Sequence, residues 1–415
     1  VPDLDTDLKK RYIGEAKVLR AYNYYELYTK FGDVPYTTKV LSIKESMSIA
    51  RTDRATVIAN MLADLDEVIN GNYLPTSYDA DNKGRITRWA AMAIKAKIYL
   101  FEGNWMQVKN ITSTIMTEGG FKLFGSYAGL FEIANEYNSE VILDAQYRPT
   151  SREHQMMYAF LPPSLGGYSQ LSPLQELVDS YIMLDGKTIK ETGTSFDESH
   201  PYANRDPRLK ATVMYTGNSY TLIDGTEVII NCEKGEGKDG YGVGSDCSAT
   251  GYYIKKYWDN TYRATLYSGL NPILIRYADI LLMNAEALAE LGELDKTAWD
   301  ATIKPIRDRA GFTLASAVEF PEGASKDKLI EIVRNERRSE LALEGHRHKD
   351  IIRWRIADDV LNGWCHGLKT NEVVGTDNGY VRVENRAFNA NRHYLWPIPQ
   401  AERDLNGNLV QNPNW

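Results

Sequence analysis

The sequence predicts a mostly α-helical fold, in which helical hairpins form a scaffold and a long irregular insertion with short strands interrupts them. Three observations carry this prediction. Apolar residues recur at three- and four-residue spacing over several long stretches, the period of one helix face. Two segments repeat one plan of helix, glycine turn and helix. Between them, Gly119 to Asn271 carries most of the Gly/Pro punctuation and only short strand-like runs.

The first helix is predicted from Lys9 to Phe31, with Ile13, Ala16, Tyr24, Leu27 and Phe31 as its apolar stripe, and Gly32-Asp33-Val34-Pro35 stops it. A second runs from Asp53 to Ile69 and ends at Asn70-Gly71. Ala90 to Phe101, a turn at Gly103-Asn104 and Trp105 to Met116 make the first hairpin. Ile275 to Leu291, a turn at Gly292-Glu293 and Lys296 to Ala310 make the second, followed by Lys326 to Glu344 and His348 to Val360. Small residues at Ala93, Ala96, Ala285 and Ala289, with glycine at each turn, suit the close packing of tetratricopeptide-type hairpins, although the roughly 34-residue period of a regular array is missing. In the insertion, Thr226 to Asn231 and Tyr252 to Tyr257 are the clearest strand signals. The expected organisation is an N-terminal scaffold (1–118), a variable insertion (119–271), C-terminal hairpins (272–360) and a closing segment (361–415). Long irregular segments on a rigid scaffold usually carry function, so ligand contacts are expected in the insertion.

Composition narrows the function. The 415 residues carry a net charge of −8, which argues against a phosphate-backbone stripe and sets nucleic acid aside. No apolar run approaches the roughly 18 residues of a membrane span. There are 27 Tyr against 10 Phe, with 8 Trp, and rings with a polar edge suit sugar or peptide surfaces as well as wet helix interfaces. Cys365 stands alone, while Cys232 and Cys247 flank a polar loop. Pairing those two would contribute roughly 3 kcal/mol and fit an oxidising compartment; spacing leaves both states open.

The most enzyme-like cluster is Glu336, Glu340 and Glu344. At about 100° per residue these share the stripe of Leu329, Ile332, Val333 and Leu343 and point inward. A glycosidase would use two of them as acid and nucleophile or base. The other reading is a buried ion-pair network, because isolated buried carboxylates are too costly. Arg20, on the first helix's stripe, is expected to reach Glu336 or Glu340, with Arg337 or Arg347 serving another member. Gly235-x-Gly237-x-x-Gly240 matches a dinucleotide fingerprint, but Tyr241-Gly242-Val243-Gly244-Ser245 cannot start a stable helix after it. Asp79-x-Asp81-x-Lys83-Gly84 begins like a calcium loop, yet Lys83 and Ala90 stand where ligands are needed. His346 and His348 lack zinc-spaced partners. No cofactor and no metal is expected.

Sugar recognition needs aromatic faces for pyranose C–H groups, flanked by hydrogen-bonding side chains. Two places offer both. One is the loop with Tyr73, Tyr78, Asp81 and Arg85; the other is the stretch with Trp258, Asp259, Asn260, Tyr262, Arg263 and Tyr267. For either, packing under a loop is the alternative.

Several strings, in order along nearly the whole chain, resemble the SusD/RagB family of Bacteroidetes nutrient-binding lipoproteins. They are Gly14-Glu15-Ala16 through Tyr22 with Phe31-Gly32-Asp33-Val34-Pro35; Ala90-Ala91 through Leu100; and Asn204-Arg205-Asp206-Pro207-Arg208. Gly251 to Tyr257, Arg276 to Leu282, Asn335 to Leu341 with Glu344-Gly345-His346-Arg347, and Asp350 to Trp354 continue the series. Trp396-Pro397-Ile398-Pro399 with Gln411-Asn412-Pro413 closes it. The resemblance implies a tetratricopeptide-like scaffold and a lipid-anchored protein on the extracellular face of the outer membrane. It also implies capture of oligosaccharides, without turnover, for a TonB-dependent (SusC-like) transporter. Relatives carry a signal peptide, a lipidated Cys and further sequence before the Gly-Glu-Ala string. Val1-Pro2-Asp3-Leu4-Asp5 shows no such features, as expected of a truncated or processed product, so the anchor is an expectation from the family alone. A peptide-capturing member of the family, a helical glycoside hydrolase and a scaffold that binds only other proteins are the alternatives.

Overall fold

The computed structural model describes residues 5–261 and 267–415. The chain is mostly helical with a few short strands. It forms two compact units, both discontinuous in sequence: 1–119 with 347–362 and 387–415, and 120–346 with 363–386. The expected segments 272–360 and 361–415 are therefore each divided between units.

In the first unit, the helix Thr6–Phe31 begins where the Asp5 carboxylate accepts from the amides of Asp7 and Leu8. It packs on Arg54–Asn70, and Arg88–Phe101 packs on both that helix and Trp105–Glu118. The buried face of the first helix is Gly14, Val18, Ala21, Tyr25 and Tyr28. The expected stripe is corrected here: Ile13 is 39% and Leu27 40% exposed. Apolar residues lie on more than one face of this helix, and the face that packs is the one that lets the chain approach closely. A Cβ at Gly14 would stand 2.9 Å from the Tyr73 Cβ. In the first hairpin, Gly103 turns the chain at φ +69, and the amide of Asn104 returns to the carbonyl of Tyr99 at 2.9 Å.

The second unit holds the other hairpin and the insertion. Tyr277–Leu291 packs on Lys326–Glu340. The expected helix 296–310 breaks at Thr302 into Lys296–Ala301 and Ile303–Ala310. Pro305 explains the break, since its ring conflicts with the carbonyl four residues back, at Ala301, and offers no amide to it. Ile275 and Arg276, expected to open a helix, belong instead to the strand Ile273–Arg276, which is antiparallel to Val141–Asp144. Val213–Met214 pairs with Tyr253–Ile254, Ser219–Thr221 with Glu227–Ile229, and Gly363–Lys369 with Tyr380–Arg386, which also pairs with Thr376–Asp377. Tyrosines fill much of this core: Tyr127, Tyr181, Tyr220, Tyr252, Tyr253 and Tyr257 are all buried in one cluster. Cys232 and Cys247 are separate thiols, the first buried and the second hydrogen-bonded to the Lys238 carbonyl at 3.4 Å. Gly235 and Gly237 sit in a loop with positive φ.

Candidate functional site

Glu336, Glu340 and Glu344 are in the second unit, and the side chains are almost fully buried. Arg208 Nη1 lies 2.7 Å from Glu336 and 2.9 Å from Glu340, and its other edge forks onto Asp206. Arg276 reaches Glu140, Glu340 and Glu344 at 2.6–2.7 Å. Arg307 holds Glu336 at 2.7 Å, Arg309 joins Glu140 to Glu340, and Lys256 lies 2.6 Å from Glu344. Burial alone would raise these carboxyls, yet Arg276 and Lys256 bring Glu344 down to about 2. Glu336 is likewise lowered against burial, by Arg208 and Arg307. Burial wins at Lys256, lowering it to about 8. Carboxylates held ionised by guanidinium and ammonium groups carry no proton near neutral pH.

Two partner assignments are corrected. Arg20 forks onto Asp64 at 2.8 and 2.6 Å, because its position lies beside the packed face of the first helix and not on it. Arg337 pairs with Asp279 at 2.6 Å, since one residue past Glu336 turns it about 100° toward the helix Tyr277–Leu291. Arg347 belongs to the first unit, where its guanidinium lies 5.9 Å from the centre of the Trp354 ring. The same network explains why the Lys326 helix stops at Glu340, four residues early. The free carbonyl of Glu340 accepts from Arg276 at 2.7 Å and from the Tyr127 hydroxyl at 3.1 Å, and that of Ala342 accepts from Lys256 at 2.9 Å. Leu343 then takes φ +64. Cations and a hydroxyl replace the next helical turn.

A cleft of about 920 Å³ opens elsewhere in this unit. Its walls come from the loop around Tyr202, Tyr215 after its strand, the turn at Cys232–Glu236, Gln175, and Leu368 to Glu372 with Tyr380. Tyr202 and Tyr215 stack with ring centres 4.0 Å apart and planes 16° from parallel, both partly exposed. A hydrogen-bond relay fixes the pair: the Tyr202 and Tyr252 hydroxyls are 3.2 Å apart, Tyr252 donates to Gln175 at 2.5 Å, and Gln175 donates to Asp179 at 2.7 Å. Burial pushes the Tyr202 hydroxyl up to about 12, so it stays neutral. The string Asn204-Arg205-Asp206-Pro207-Arg208 anchors this wall to the core. Arg205 donates to the carbonyls of Val178, Tyr181 and Pro201, Asp206 caps the helix Pro207–Thr212, and Arg208 enters the carboxylate network. The His366 ring nitrogens stand 2.7 Å from Glu176 and 3.0 Å from Asp377, tying the strand Gly363–Lys369 to the helix that begins with Gln175.

The rim is charged and exposed. Lys369 pairs with Glu198 at 2.7 Å, and Lys234 pairs with Glu372. Such exposed pairs contribute on the order of 0–1 kcal/mol and exchange partners easily. Ring faces beside movable donors and acceptors are what a polyhydroxylated ligand needs.

The predicted contact residues lie elsewhere. In the first unit, Arg85 forks onto Glu15 at 2.8 and 2.6 Å, Tyr78 donates to the Ile86 carbonyl at 3.1 Å, and Tyr73 donates to Glu67 at 3.0 Å. Asp81 is exposed in a short 3₁₀ turn that Asp79 caps. In the second unit, Trp258 meets Tyr220 edge-on at 5.1 Å and its indole N–H donates to the Thr221 carbonyl at 2.9 Å. Asp259 is buried and accepts from the amide of Thr261 and the hydroxyl of Ser268. Asn260 is half-buried and Tyr267 exposed. Tyr262 and Arg263 lie outside the described residues. The cleft residues Tyr202, Tyr215 and Tyr380 were missed because seven separate stretches of the chain build the cleft. The available signal was Tyr202 immediately before the Asn204–Arg208 string.

Among the described residues, no group of His, Cys, Asp and Glu could hold a metal ion, and no helix is long and apolar enough to cross a membrane.

Comparison with known proteins gives a consistent answer. Residues 1–100 match a family described as starch-binding and associating with the outer membrane. A SusD-like carbohydrate binding protein of Bacteroides fragilis superposes with a TM-score of 0.88 at 30% identity, covering 98% of this chain and 81% of that one. A second SusD-like protein of the same organism gives 0.83 at 28% identity, covering all of this chain and 81% of that one. A curated relative, SusD-like protein P25 of Formosa agariphila, is 27% identical over 96% of this chain and 72% of its own length. The SusD family profile matches residues 130–415, more than half of the sequence, and the chain belongs to the SusD family.

Proposed function

We propose that this protein captures oligosaccharides in the cleft of its second unit and passes them, uncleaved, to a TonB-dependent outer-membrane transporter. The carrying observation is the stacked, partly exposed Tyr202–Tyr215 pair, fixed from behind by Tyr252 and Gln175 and rimmed by Lys369, Glu198, Lys234 and Glu372. A fixed ring pair spends little conformational entropy on binding, and the loose rim pairs can turn to sugar hydroxyls. Trp258 and Tyr267 are a secondary contact surface, since Asp259 and Arg85 are already engaged within the chain. Binding without hydrolysis is supported by the carboxylate network, whose members all face guanidinium or ammonium groups. A surface position, held by a lipid anchor on sequence preceding this chain, is supported by family membership and by the outer-membrane description attached to residues 1–100.

The test is native electrophoresis through gels cast with a panel of polysaccharides, with reducing ends assayed afterwards. The expected result is retardation by at least one polysaccharide and no release of reducing sugar. Release that is abolished by Glu340→Gln in a folded variant contradicts the proposal.

A further inference from the structure

The first unit has its own cleft, of about 740 Å³, between the end of the first helix, the turn after the helix Arg347–Arg353 and the C-terminal segment. Arginine dominates it. Arg51, Arg54, Arg353, Arg355 and Arg392 line it against one acid, Asp33, in a chain whose net charge is −8.

These arginines divide into two kinds. Three are structural. Arg51 donates to the carbonyls of Phe31, Asp33 and Val410 and to the Asn412 side chain at 2.6–2.9 Å, tying the C-terminal segment to the first helix. Arg54 pairs with Glu102, and Arg353 with Asp350 at 2.9 Å.

Arg355 and Arg392 differ. Neither guanidinium has a carboxylate or carbonyl partner among the described residues, and both are exposed. Each stands over the face of a hydrogen-bonded aromatic ring instead. Arg355 stands 3.6 Å from the centre of Tyr394, whose hydroxyl donates to Asp358 at 2.8 Å. Arg392 stands 3.9 Å from the centre of Trp415, whose indole N–H donates to the Leu395 carbonyl at 2.9 Å. Arg355 also takes φ +58, a left-handed conformation in which the Cβ crowds the backbone.

A guanidinium stacked on a ring keeps its edge donors free while its rotamer freedom is already reduced. Edge donors in a planar fork match the oxygens of a carboxylate, sulfate or phosphate. We infer that this cleft is an oxyanion site, in which Arg355 and Arg392 bind the carboxylate, sulfate or phosphate group of a ligand. The inference concerns the first unit alone and does not rest on the saccharide reading of the other cleft.

Isothermal titration at low ionic strength, with chloride as the control anion, tests it. The probes are sodium sulfate and trigalacturonate, for the wild type, Tyr215→Ala and Arg355→Ala/Arg392→Ala. The expected result is saturable binding that weakens at least tenfold in the double variant, persists in Tyr215→Ala and is not reproduced by chloride. Binding of trigalacturonate identifies an acidic sugar as the source of the oxyanion, and binding of sulfate alone identifies a free inorganic anion. Conservative Arg355→Lys/Arg392→Lys is expected to bind more weakly than wild type, because it keeps charge and loses the fork. No saturable binding of either probe, or binding unchanged in a double variant that melts like the wild type, overturns the inference.

Discussion

Two charge clusters in the second unit use the same residue types to opposite ends. Around Glu340, the carboxylates of Glu140, Asp206, Glu336, Glu340 and Glu344 meet Arg208, Arg276, Arg307, Arg309 and Lys256, and nearly all are buried. At the cleft rim, Lys369 with Glu198 and Lys234 with Glu372 are exposed and singly paired. Burial separates their roles. In a low-dielectric core each charge must be satisfied, so the network fixes geometry and is closed to ligands. In water a pair is weak, so its members remain available to a third partner.

Truncation is the strongest way to break this contrast. Glu340→Ala leaves Arg276, Arg208 and Arg309 short of a buried partner and is expected to cost about 3–5 kcal/mol. Lys369→Ala, at the rim, is expected to change stability by less than about 1 kcal/mol. Urea denaturation measures both, and similar costs at the two sites would show that burial does not separate them.

Acid gives a smaller and more graded test. Burial opposes the ionised form of Glu344, but Arg276 and Lys256 outweigh it and lower the group from 4.5 to about 2. A depressed folded value means that its contribution is fully present above about pH 4.5 and is lost as pH falls toward 2. The urea midpoint of the wild type is therefore expected to fall through that window. Glu344→Gln, less stable at pH 6, is expected to fall less. Parallel pH profiles for the two proteins would contradict the assignment.

Local signals located most of the long helices, while their breaks and the non-local pairing escaped the sequence reading. Asp5, Asp53 and Ser325 cap helices close to the expected starts, and glycines at 103, 292 and 311 turn the chain where the pattern ended. The strand Ile273–Arg276 escaped because its apolar run extends the helical pattern behind it, and its partner Val141–Asp144 is about 130 residues away in the chain. The inward direction of Glu336, Glu340 and Glu344 was legible from period alone. Their partners were not, because Arg208, Arg276 and Arg309 come from three other segments. Arg20 was misassigned for a local reason, since periodicity on a helix with several apolar faces does not say which face packs. The cleft escaped for the same non-local reason: Tyr202, Tyr215, Gln175 and Tyr380 are distant in sequence and meet only after folding.

The contrast between a closed core and an open rim reduces to one aromatic pair. Affinity of the wild type, Tyr215→Ala and Trp258→Ala for the polysaccharide that retards the protein most strongly tests it directly. Tyr215→Ala is expected to weaken binding roughly tenfold, about 1.4 kcal/mol, with little loss in melting temperature, while Trp258→Ala changes affinity less. Full affinity in Tyr215→Ala, with the loss falling on Trp258→Ala, would contradict the placement of the site in this cleft.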